Sequence, residues 1–193
     1  MRDVHLHALF SPNSIAIVGT AGNAGSPARA VLSNLENWGY QGQIVSVNWT
    51  GAADGQLPHP CPELAVLCLE PEETPGALEW LADAGVQAAI VISAGFREIG
   101  GRGYYLEERL TRLASSRNMT LLGPNCLGVA SWGGNMNASL VSRLPGRGNI
   151  AFFSPSGSMC SAVLDWAASE EVGLSRFERL RSEERRVGKE CRS

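Results

Sequence analysis

The chain has 193 residues, 44% of them apolar and 18% charged, with a formal net charge of −3. That is the composition of a soluble globular protein with apolar material for one full domain and part of a second. Mild acidity argues against a nucleic-acid partner, and no apolar run approaches the ~20 residues of a membrane span. The N-terminus, MRDVHLHALF, lacks the apolar stretch of a signal peptide, so a cytoplasmic setting is the expectation. Cys61, Cys68, Cys126, Cys160 and Cys191 form no Cys-x-x-Cys pair, which argues against a metal site and for reduced thiols.

The first element, IAIVG, is a run of β-formers from Ile15 to Gly19. Ser26 to Trp38 then carries a helical stripe of Ala28, Val31, Leu32 and Leu35, with Ser26 as N-cap, Pro27 in the first turn and Gly39 as the stop. GQIVSVN is a second strand ending at Asn48, followed by a loop rich in Gly and Pro. ELAVLCLE is a third strand, Glu72 to Ala84 a helix closed by Gly85, and VQAAIVIS a fourth strand, nearly all apolar. Tyr104 to Arg117 is helical, MTLLG is a fifth strand, and GPNCLGV follows it. Strands alternating with helices predict an α/β fold, a Rossmann-like doubly wound parallel sheet. After a long irregular link, GNIAFFSPSGSMCSAVLDWAASEEVG begins a second α/β unit. The expected divisions are residues 8–130, 146–177 and a tail, 178–193. The tail holds the chain's one lysine, Lys189, and resembles vector-derived sequence after a broken reading frame.

In such sheets ligands sit beyond the carboxyl ends of the strands. The loops to read are therefore GTAGNAG, NWTG, LEPEE, SAGFRE and GPNCLG. Gly19, Gly22 and Gly25 let backbone approach an anion, and the helix after them aims free N–H groups at it. The spacing is GxxGxxG, however, and not the GxGxxG of dinucleotide sites. The second strand also ends in Asn48 and Trp49, where an NAD site wants an acid for the ribose; Asp54 lies too far along. NAD is thus disfavoured on two counts.

Taken together and in order, LFSPNSIAIVG, NLENWGYQGQIVSVN, AAIVISAGFRE, LLGPNCLGV, NIAFFSPSGSM and VLDWA resemble the NDP-forming acyl-CoA synthetase family, related to the alpha subunit of succinyl-CoA synthetase. The likeness covers residues 8–177. It implies a CoA-binding first domain and a flavodoxin-like second domain that helps hold a loop bearing a phosphohistidine. The implied CoA phosphate loop falls on Gly19, Ala21, Gly22, Asn23, Ala24 and Gly25. Asn48, Trp49 and Thr50 would flank the nucleotide, and Ser93, Ala94 and Gly95 would line the CoA. Pro124, Asn125 and Cys126 would face the place where the thioester forms. Ser156, Gly157 and Ser158 would open a helix that binds a phosphoryl group, which suits two hydroxyls and free N–H groups at a helix start.

The chain departs from the family pattern at Trp49, where proline is usual, at Thr50, where a cation is common, and at Pro155, where Gln or Arg is usual. Arg29 and Arg97 are the candidate replacement cations. The implied reaction joins a small carboxylic acid, often acetate, to CoA with ATP, through an acyl phosphate and a phosphohistidine. No catalytic residue is assigned here, because that histidine is expected beyond Phe177, in further domains or an ATP-grasp subunit. The 193 residues alone are expected to lack ligase activity. Alternatives are a CoA-sensing module of a protein N-acetyltransferase and an NAD-linked oxidoreductase domain. His5, His7 and His59 read as surface residues, Glu98 as a solvated carboxylate, Cys126 as a buried thiol, and Trp132 and Trp166 as packing residues.

Overall fold

The computed structural model describes residues 5–51 and 57–179. One sheet is wholly parallel: β1 (Ser14–Val18), β2 (Gln43–Val47), β3 (Leu64–Leu67), β4 (Ala88–Val91) and β5 (Thr120–Leu122), in the order β2-β1-β3-β4-β5. Helices cover both faces, so β3 and β4 are buried at every position. The two-residue period sorts the strands between two cores. Ile15 and Ile17 face α1 (Leu6–Phe10) and α2 (Pro27–Asn37), meeting Phe10, Val31 and Leu35. Ala16 and Val18 face the other way, toward Leu78 of α3 (Thr74–Asp83) and Leu110 of α4 (Gly101–Ser116). The strand order reverses between β1 and β3, which places the switch-point crevice beside Gly19.

The second sheet is mixed: β6 (Gly128–Ser131), β7 (Met136–Ser139), β8 (Arg147–Ser154) and β9 (Leu174–Arg179), in the order β7-β6-β9-β8. Parallel β8 and β9 are joined by α5 (Gly157–Ser169), and β6 runs antiparallel to both its neighbours. Ala130, Leu164, Leu174 and Phe177 form its core, and Trp132 packs edge-on to Trp38 of the first unit at 5.1 Å. The buried Asn34 side chain of α2 donates to the Ser139 carbonyl oxygen of β7 at 2.8 Å, so α2 serves both sheets.

Where an irregular link was expected after GPNCLGV, the chain forms the β6–β7 hairpin. A further strand, β9, runs past Phe177 to Arg179. Trp132 is buried, as expected for a packing residue, but Trp166 is 55% exposed and contributes no core face. Asp54, Lys189, Cys191 and the rest of residues 180–193 lie outside the described residues. No helix among the described residues is long and apolar enough to cross a membrane.

Candidate functional site: a crevice at the switch between two strands

Gly19 ends β1 with φ +146°, and its N–H donates to the Val47 carbonyl oxygen at 2.9 Å. A Cβ there would stand 2.6 Å from the Cys68 carbonyl oxygen, so only glycine lets the ends of β1 and β3 close together. The loop then turns on itself: Ala21 N–H donates to Gly19 O and Ser26 N–H to Asn23 O. Ser26 caps α2 as its sequence position predicts, accepting from Arg29 N–H at 3.2 Å while its hydroxyl donates to Thr20 O at 2.7 Å. Gly22, Asn23, Ala24 and Gly25 are exposed, and their N–H groups have no hydrogen-bond partner among the described residues. Four free amides thus stand at the positive end of an 11-residue helix, an arrangement suited to an anion.

Across the crevice, Ser93 Oγ accepts from Leu69 N–H at 3.1 Å, and its carbonyl oxygen accepts from Asn125 N–H at 2.8 Å. Ser93 thereby ties together the loops after β3, β4 and β5. Gly95 sits at φ +100°, where a Cβ would lie 2.5 Å from Pro71 Cγ. A cleft of about 350 Å³ brings Ser93 and Ala94 together with Pro27, Cys68, Pro71 and Leu140. Cys68, Pro71 and Leu140 went unassigned in the sequence reading. Loop LEPEE contains Pro71; Cys68, read as part of the third strand, and Leu140, just after β7, carried no signal. Burial pushes the Cys68 thiol from 9.0 up to about 12, with nearby Cys126 adding to the shift. It faces the cleft as a neutral thiol.

The remaining assigned residues divide. Pro124 is buried, and Asn125 turns at φ +55°. Cys126 is 3% exposed, its Sγ donating to Val91 O at 3.3 Å, so this loop offers the crevice backbone in place of a thiol. Asn48 and Thr50 are exposed beyond β2. The Trp49 ring instead turns inward onto Trp80, centroids 5.8 Å apart, and is no stacking platform. Ser156, Gly157 and Ser158 lie on the second sheet at the start of α5 and do not line this cleft. Ser156 caps that helix, accepting from Met159 N–H at 3.4 Å, and its hydroxyl is 3.1 Å from that of Ser158.

Of the two candidate cations, Arg97 is already engaged. Its Nε is 2.8 Å from Glu107 Oε1 and its guanidinium lies over the Tyr104 ring at 4.4 Å. Arg29, on the first turn of α2, is exposed and forms no ion pair among the described residues. Glu98 is no idle carboxylate, because its Oε1 accepts from Gly95 N–H at 2.6 Å and holds the crevice loop.

Residues 13–132, which contain β1 to β6 and the loops after β1 to β5, match the family described as a CoA binding domain. The chain belongs to that family. This CoA-binding domain chain is 34% identical to acetate–CoA ligase [ADP-forming] I of Archaeoglobus fulgidus, over 89% of the chain and 26% of the relative. It is 32% identical to the alpha subunit of acetate–CoA ligase [ADP-forming] I of Pyrococcus furiosus, over 88% of the chain and 39% of the subunit. Among solved structures, the dinucleotide forming acetyl-coenzyme A synthetase 1 of Ca. Korarchaeum cryptofilum, in complex with phosphate and ADP, superposes with a TM-score of 0.83 at 30% identity. That match covers 94% of this chain and 40% of the other. The chain therefore spans about a quarter to two-fifths of the length of these relatives.

Proposed function

We propose that this chain is the CoA-binding part of an ADP-forming acid–CoA ligase, with the diphosphate of CoA held on the Gly22–Gly25 amides. The observation that carries the reading is the cradle itself. Four unpaired N–H groups, a capped helix start and two glycines with no atom within 4 Å of an added Cβ fit a dianionic bridge. Pro27, Pro71 and Ser93, which line the cleft, would hold the pantetheine arm. The cofactor supplies the thiol that becomes the thioester; the chain's own residues bind, orient and exclude water. Cys68 and Cys126 take no part in transfer, because one is held neutral and the other is turned into the core.

In the same reading Ser156, Gly157 and Ser158 receive a phosphoryl group at the start of α5 when the rest of the ligase is present. Residues 8–130 and 146–177 correspond to its first domain and the beginning of its second. The substrates are a small carboxylic acid and ATP, and the partners are further domains or an ATP-grasp subunit.

Calorimetric titration of the chain with CoA and, separately, NADH tests this reading. Saturable CoA heat and no NADH heat are expected. NADH binding without CoA binding overturns it.

A further inference from the structure

A second cleft, of about 410 Å³, lies away from the crevice. It sits between the end of α1, the β6–β7 turn and the start of β8. Ser11, Ser131, Arg147, Gly148, Ser175 and Arg176 line it, and no carboxylate does. Arg176 stands directly opposite Ser131 across the β6–β9 pair, so both side chains leave the sheet on one face. On that face the Arg176 guanidinium lies over the Phe10 ring at 5.2 Å, which fixes its plane while leaving its N–H edge free.

Two observations at this cleft point independently to an anion. Arg147 and Arg176 form no ion pair among the described residues. Ser131 is 2% exposed, yet its hydroxyl has no hydrogen-bond partner among the described residues. The Ser131 hydroxyl is not among the fully buried polar atoms left without a partner in the described residues, so it opens into the cleft, where its proton goes to an acceptor from outside the protein. An oxyanion between the arginines would be such an acceptor and would also neutralise them. We propose that this cleft binds a small oxyanion, a phosphate group or a carboxylate, clamped by Arg147 and Arg176 with the Ser131 hydroxyl donating to it. The assignment concerns the second sheet and does not depend on what fills the crevice.

The test is amide chemical-shift mapping of the ¹⁵N-labelled 193-residue chain, titrated with inorganic phosphate and with sodium acetate. Sodium chloride at matched ionic strength is the control. Saturable shifts at Gly133, Gly148 and Ser175 are expected; shifts at Gly22–Gly25 report the crevice and are read separately. Arg147→Gln and Arg176→Gln should each weaken the response about tenfold or more, as loss of a hydrogen bond to a charged group does. Saturation by phosphate alone assigns phosphate chemistry, by acetate alone carboxylate chemistry, and by both their shared form. Ser131→Ala, which keeps both charges, should weaken binding several-fold and covers the case in which an arginine variant fails to fold. Shifts no larger than the chloride control, or unchanged across the variants, overturn the proposal.

Discussion

At Gly19 the crevice is held narrow by an atom that is missing. Gly19→Ala would place a Cβ 2.6 Å from a backbone oxygen at φ +146°, and should cost ~1–3 kcal/mol in thermal unfolding. Gly22→Ala meets nothing within 4 Å and should leave stability within ~0.5 kcal/mol. Equal losses in the two would contradict the packing described at the end of β1. Cys68 makes a prediction in pH. Its thiol is raised from 9.0 to about 12 by burial and by Cys126, so on alkaline titration the unfolded chain loses its proton first. The stabilising contribution is complete below pH 9 and is lost as pH rises toward 12. Tyr40, raised from 10.0 to about 12 by burial and by Glu63, acts in the same direction. Melting temperature should therefore fall above pH 9, less steeply in Cys68→Ala; a curve that climbs there would contradict both. The glycines of this site were legible in the sequence, because a strand running into small residues and then a helix has few physical outcomes. The inward turn of Trp49 was not, because the direction of a side chain beyond a strand end is set by its neighbours, whereas the burial of Cys126 could be read from its residue type.

Among the elements, α2 was the most legible: its cap, first-turn proline, apolar stripe and closing glycine agree with one another. Ser26→Ala removes the cap and should cost ~1 kcal/mol. Asn34 carried no such signal. A polar residue beside an apolar stripe reads as solvated until the second sheet supplies its partner. Asn34→Ala strips the Ser139 carbonyl of its donor and should cost ~1–3 kcal/mol in denaturant unfolding. A value near zero would show that α2 and β7 are not coupled there. β6 and β7 escaped the sequence reading for a related reason. Their strands, GVAS and MNAS, are small and partly polar yet buried at every position. Asn137 and Ser139 are satisfied within the hairpin, where the Ser139 hydroxyl donates to Asn137 Oδ1 at 2.6 Å. No apolar alternation survives in such a strand. β9 was hidden by its charged residues, although Glu178 is only 5% exposed once paired.

For the whole molecule, two sheets meet on one helix, and the crevice opens where the parallel sheet reverses its order. The parallel sheet was readable because β1, β3 and β4 are nearly continuous apolar runs and all its crossovers but the one from β2 to β3 carry a helical period. The second sheet was not, because half of it is assembled from segments that make sense only in three dimensions. The central claim is that the glycine-lined crevice over α2 holds the diphosphate of CoA. The most direct measurement is a crystal structure of the chain with CoA bound. The account predicts diphosphate oxygens within hydrogen-bond distance of the Gly22–Gly25 amides and the pantetheine arm against Pro71 and Ser93. CoA lying elsewhere on the molecule, with those amides facing solvent, would contradict it.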